Sequence, residues 1–278
     1  MRNEIIAKRF SQERALYNLK HTDVLDCVFA GGGSSALKDA RDVKLENCSF
    51  SLGYPLWHAE KFHMHDSRMD ENTRAPMWYC RSGLITDSDL SGTKALRECH
   101  DIAIRDCTVT SEEFGWKSSN ITVTDSTLSA RDLFLDSRNV TLDKVKMTGE
   151  SSFQYMEDAI VCNSVLDAKN AFWHTKNITL ENCVIHGAYL GWFSEGLTLR
   201  RCKIVGTQPL CYCKDLVLED CVMEDADLAF EYSDVNATVI GHVNSVRNVR
   251  SGRIVADSVG EVFMTDAVME CTGTVTIR

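Results

Sequence analysis

Proline is nearly absent, with three in 278 residues, and there is no Ser/Gly-rich tract. That scarcity leaves no place for a long linker between separate domains. No apolar run approaches the roughly 20 residues that a membrane-crossing helix needs. Residues Met1 to Arg9 lack the apolar core of a secretory leader, so a cytoplasmic location and no membrane partner are expected. Excess positive charge is missing as well. A net charge of −10 spread along the chain argues against a nucleic-acid backbone as partner. Among twelve cysteines there is no Cys-x-x-Cys pair, and Cys211-x-Cys213 is too closely spaced for a zinc knuckle. No metal or cofactor is therefore expected. Glycine-rich phosphate loops, the Gly-x-Ser-x-Gly elbow and His-Glu-x-x-His are also lacking.

What the chain does have is a strict repeat. The series Cys27, Cys48, Ser67, Ser88, Cys107, Ser126, Val145, Ser164, Cys183, Cys202, Cys221 advances by 19 residues, except for two steps of 21 ending at Cys48 and Ser88. All five tryptophans stand ten residues before one of these anchors, and all three prolines twelve before. A period this regular predicts a solenoid in which like positions of successive coils stack. Three before each anchor the residue is always apolar, from Val24 to Leu218, and two after it the same holds, from Phe29 to Met223.

Alternation such as Ile178 and Leu180 between polar neighbours marks a half-buried strand. The parity slips just before the anchor, where nine of eleven residues are Asp or Asn. These types tolerate left-handed backbone, so a corner is predicted there. A third strand is expected upstream, as in Ala171-Phe172-Trp173-His174-Thr175.

Three short strands and tight corners in 19 residues predict an all-β chain, a single-stranded right-handed parallel β-helix of about 12 coils. The competing reading is a leucine-rich repeat, because Val43-x-Leu45-x-x-Cys48-x-Phe50 fits that consensus. Its usual period of about 20–29 residues and its need for a helix in the third segment weigh against it. One β-helix domain over 1–278 is expected, with a cap at 1–16, regular coils at 17–240 and less regular coils and cap at 241–278. The cysteines follow the repeat, which is how small buried thiols behave.

The residues nine before each anchor form the richest column: Asp39, His58, Tyr79, Glu98, Lys117, Asp136, Tyr155, His174, Phe193 and Tyr212. Unpaired charge is heavily penalised in a core, so this column is predicted to point outward. Strict alternation would put the adjacent tryptophan column inside, although Lys38, Arg97 and Gln154 in the same column resist burial. The alternation tips the expectation toward a largely buried tryptophan stack; an exposed platform offering Trp57, Trp78 and Trp116 to sugar rings is the alternative.

Glu98, Lys117 and Asp136 occupy three successive coils, placing two carboxylates about 9.5 Å apart, a spacing suited to inverting glycoside hydrolysis. Arg97 or Lys117 could serve as base or charge stabiliser in an elimination from a uronic acid. The plainer reading is an exposed ladder of ion pairs. The two 21-residue turns insert their extra residues around Gly31–Ser35 and Asp70–Arg74. Such loops would wall the strip near Trp57, His58, Trp78, Tyr79, Trp116 and Arg74, the expected substrate-binding residues. His63 and His65 make at most half a metal site, and Cys162 is the thiol expected to be reactive.

The run Asn177-Ile178-Thr179-Leu180-Glu181-Asn182-Cys183-Val184-Ile185 resembles the pectin-lyase-like right-handed parallel β-helix superfamily, and the likeness extends over essentially the whole chain. Lys94–Cys99, Glu113–Ser118, Gln208–Cys213 and Asp225–Glu231 are similar to a bacterial family of that fold without an established activity. The resemblance implies polysaccharide lyases, hydrolases and esterases as the functional neighbourhood. It carries over no catalytic residue, because the calcium-binding Asp clusters of its pectate lyases and the Asp-Asp and Gly-His-Gly signatures of its polygalacturonases are not here. Two functions therefore stand side by side: a carbohydrate-binding or carbohydrate-active β-helix with a glycan or small-molecule ligand, and a non-catalytic scaffold that binds a protein or self-assembles as a homo-oligomer.

Overall fold

A computed structural model describes residues 2–278, and it is all β, without a helix among the described residues. The fold is the right-handed parallel β-helix expected, in about 14 turns. The missing helix removes the leucine-rich-repeat reading. By compactness the chain divides into Met1–Thr141 and Leu142–Arg278.

In the first unit, Asn3–Ile6, Lys20–Leu25, Arg41–Glu46, Glu60–His65, Arg81–Thr86, His100–Arg105 and Ser119–Thr124 form one parallel ladder. Its register is that of the repeat, with Phe62, Gly83, Ile102 and Ile121 paired in succession. A second ladder runs through Val28–Ala30, Ser49–Ser51, Arg68–Met69, Asp89–Gly92, Thr108–Phe114 and Thr127–Leu133. In the second unit a parallel ladder runs from Glu157–Cys162 to Leu216–Glu224, followed by two long strands, Asp234–Arg247 and Ser251–Phe263, closed by Thr274–Ile277.

The core is built from columns. Every anchor is buried, as is every residue three before or two after it. Phe10, Phe29 and Phe50 stack at 5.0 and 4.8 Å between ring centres. Size alone does not explain the Ser and Cys anchors. The Ser88 hydroxyl donates to the carbonyl of Thr86 at 2.7 Å and accepts from the backbone N–H of Ser67 at 3.1 Å. Ser126 does the same for Thr124 and Cys107. The anchor thus satisfies polar groups that a corner exposes to a dry interior, where each orphan would cost about 1–3 kcal/mol.

All eleven residues preceding an anchor have left-handed backbone, with φ from +43 to +54°, including Lys144 and Arg201. The predicted corner is therefore present in every coil. The third segment differs from its prediction. It is a strand only at Met77–Trp78 and Leu96–Arg97, and elsewhere it is a turn. The residues nine before each anchor, from Asp39 to Tyr212, have φ from +51 to +61°. A left-handed residue breaks the in–out alternation, so two adjacent positions can both face outward. The tryptophan column is accordingly half-buried on the outside, and the expected buried stack is corrected. Gly115 (φ +77°) shows how tight this turn is, because a Cβ there would run into the ring of Phe134.

Candidate functional site

The outward face of this turn in the first unit carries an alternating column of rings and cations. Lys38 places its ammonium 3.9 Å from the centre of the Trp57 ring. Trp57 lies 6.5 Å from Trp78, their planes 27° apart. The Arg97 guanidinium sits 5.5 Å from the Trp78 ring and 5.6 Å from Trp116. Backbone pairing sets this spacing, since Arg97 pairs with Trp78 on one side and Trp116 on the other. Each desolvated cation–ring contact is worth about 0.5–2 kcal/mol.

The Trp57 and Trp78 rings stack on each other, and Trp57, Trp78 and Trp116 are half-buried. Trp116 donates its indole N–H to the carbonyl of Asp132 at 3.2 Å, and Trp173 and Trp192 repeat that bond to Tyr189 and Gln208. The Trp57 Nε1 is buried without a hydrogen-bond partner.

Beside this column lie the left-handed corner residues. His58 and Tyr79 meet edge to face at 5.1 Å, and Tyr79 stacks on Trp78 at 5.5 Å. Glu98 accepts from Arg97 Nε at 3.4 Å and, at the long distance of 3.5 Å, from Trp78 Nε1. Coil-to-coil stacking is direct here: the Glu98 N–H donates to the Trp116 carbonyl and the Lys117 N–H to that of Leu135, both at 2.9 Å. Yet among the described residues no ion pair links Glu98 to Lys117 or Lys117 to Asp136. The ladder of ion pairs is not formed. Lys117 and Asp136 stand exposed instead. Arg97 is committed to two rings and two carboxylates, which leaves it no freedom to act as a base. Arg74 is exposed, its backbone pairing with Gly53 and Thr93.

Sequence reading missed a third column, thirteen before the anchors, holding Lys94, Glu113 and Asp132. Coil arithmetic alone would have aligned them. Glu113 pairs with Asp132 across Thr108–Phe114 and Thr127–Leu133. Its Oε2 is buried, lies 3.6 Å from Arg97 Nη1 and 3.8 Å from Lys94 Nζ, and has no hydrogen-bond partner. Arg131 holds Asp132 at 2.9 Å.

Two other features bear on chemistry. His65 Nδ1 is 2.9 Å from Thr86 Oγ1 and 3.2 Å from an Asp87 carboxylate oxygen, and His63 reaches the same hydroxyl at 3.4 Å. Burial, with the charge on His65 and Lys44 beside it, holds the His63 imidazole below its ordinary value. No group of three His, Cys, Asp or Glu fit to hold a metal ion occurs among the described residues. A shallow groove of about 410 Å³ runs along the corner before the anchors, lined by Asp66, Arg68, Asp87, Asp89 and Asp106 among others. Cys162 is half-buried, and burial with Glu181 nearby raises its thiol.

The chain belongs to the family described as "Protein of unknown function (DUF3737)", whose model matches residues 3–277. No curated protein matches it. Among solved structures it is similar to the A-module of mannuronan C-5 epimerase AlgE6 of Azotobacter vinelandii, with 10% identity and a TM-score of 0.44, covering 99% of this chain and 90% of that one. The periplasmic alginate epimerase AlgG gives 10% identity, a TM-score of 0.32 and coverage of 99% and 77%. PfbA, a surface adhesin of Streptococcus pneumoniae, gives 7%, 0.32, 93% and 82%. Likenesses at this level assign no activity.

Proposed function

We propose that the outward strip from Trp57 to Asp136 binds an extended glycan. The observation that carries this reading is the pair Lys117 and Asp136, exposed and without an ion partner among the described residues beside the half-buried ring column. A sugar hydroxyl can accept from the one and donate to the other. Around them the strip supplies aromatic rings and Glu98 held in place by Arg97. Such a mixture of apolar wall and convergent polar groups suits polyhydroxylated ligands.

A second reading, catalysis on the bound glycan, is favoured by the lack of an ion partner at Lys117 and Asp136. With Glu98 they are the groups we propose for proton transfer, Trp57, His58, Trp78, Tyr79, Trp116 and Arg74 being the binding wall. Titration calorimetry against a panel of soluble oligosaccharides tests both readings. Binding of at least one member, weakened at least threefold by Asp136→Asn, is the expected result. Release of new reducing or unsaturated ends from that sugar, abolished in Glu98→Gln, would establish catalysis. Absence of heat with every sugar would remove the glycan reading.

A further inference from the structure

Resting on that reading, we infer that the glycan is a neutral chain and not a polyuronate. The charge pairing along the strip decides this. Lys94 faces Glu113 at 3.8 Å, Arg97 faces Glu98 and Glu113 at 3.4 and 3.6 Å, and Arg131 faces Asp132 at 2.9 Å. Lys38 is spent on the Trp57 ring. Along the strip, Lys117 and Arg74 are the cations for which the described residues supply no ion pair or ring contact. Lys117 is the one at its centre. It stands between Glu98 and Asp136, one coil away on either side, about 4.8 Å by strand spacing.

A polyuronate carries a carboxylate on every sugar and would lie along the axis, needing a free cation at nearly every coil. It would find Lys117, flanked by two like charges, and Arg74 at the other end of the strip. The remaining cations could serve it only by giving up their carboxylates, leaving Glu113 buried beside an added negative charge, which is strongly unfavourable. The chain's net charge of −10 would also slow the approach of a polyanion. A neutral chain meets none of these penalties. Its hydroxyls can donate to Asp136 and accept from Lys117. Between the coils of Trp78 and Asp136 there are three steps, roughly 14 Å at strand spacing, room for about three sugar units along the axis.

The experiment is calorimetry of the full chain with neutral gluco- and manno-oligosaccharides, oligomannuronate and oligogalacturonate, each at low and high sodium chloride. The expected result is binding of a neutral oligosaccharide with less than a twofold change between the two salts. Asp136→Asn, an exposed change that should leave the thermal midpoint untouched, should weaken that binding at least threefold. Tighter binding of a uronate than of any neutral sugar, falling with salt and lost in Lys117→Met, would overturn this inference while leaving glycan binding intact. Heat from none of the sugars would defeat both.

Discussion

Arg97 places Nη1 3.6 Å from Glu113 Oε2, with the Trp78 and Trp116 rings centred 5.5 and 5.6 Å from its guanidinium carbon. The Arg97 and Glu113 side chains are 21% and 14% exposed, so the pair is held largely out of water, where its worth depends on geometry. A planar, delocalised cation that meets rings and carboxylates at once is a role lysine cannot copy.

Replacing Arg97 by Ala should therefore destabilise the chain by about 2 kcal/mol, the sum of lost cation–ring contacts and a carboxylate left without its cation. Arg97→Lys should recover less than half of that loss. Urea unfolding of the three proteins checks it, and a loss below about 0.5 kcal/mol for Arg97→Ala would show that the sandwich is incidental.

At the corner before the anchor, Asp106 has φ +54°. A β-branched residue is strained in that conformation. Asp106→Val should cost about 1–2 kcal/mol, whereas Asp106→Gly should stay within about 0.5 kcal/mol of the parent. Equal midpoints for the two variants in urea would mean that the corner relaxes to another backbone conformation.

Ten of the twelve cysteines are buried; Cys162 and Cys271 are half-buried. Burial pushes the Cys211 and Cys213 thiols up to about 12, far from the thiolate form that reacts. A thiol-colorimetric titration should count two reactive cysteines in the native protein and all twelve in denaturant. Because burial and Glu181 also raise Cys162, its reaction should be slow at neutral pH. Rapid reaction of a third thiol would point to opening of a coil.

Acid should weaken the fold through two groups. The Asp234 carboxyl, hydrogen-bonded by Arg250, is held below its ordinary value of 3.8. Its contribution is full above that value and is lost as pH falls through the lower folded one. His63 is held below 6.5 by burial, then by His65 and Lys44, with Glu46 opposing. In the window just below 6.5 the unfolded chain binds more protons, so stability declines as pH falls. Thermal midpoints should drop between pH 7 and pH 5, by less in His63→Asn. Parallel pH profiles would exclude a part for His63.

The coil was legible because the period fixed which residues are equivalent, and the Asp and Asn before each anchor named the first corner. The second corner was not, because Tyr79, Glu98, Lys117 and Phe193 are not residues that ordinarily mark left-handed backbone. Backbone hydrogen bonds from coil to coil impose that conformation on them, and with it the outward turn of the tryptophans. The column of Lys94, Glu113 and Asp132 went unread although the coil arithmetic aligns it.

Periodicity alone determined the coil, its core columns and the equivalence of Trp57, Trp78, Arg97 and Trp116, since a regular repeat leaves buried and exposed positions little choice. Which partners the outward side chains take was decided only in three dimensions. Arg97 lies between two rings and reaches a carboxylate in the next coil because stacking brings those groups within a few ångströms, and side-chain reach and desolvation then choose among neighbours that the linear order keeps 16 to 19 residues apart.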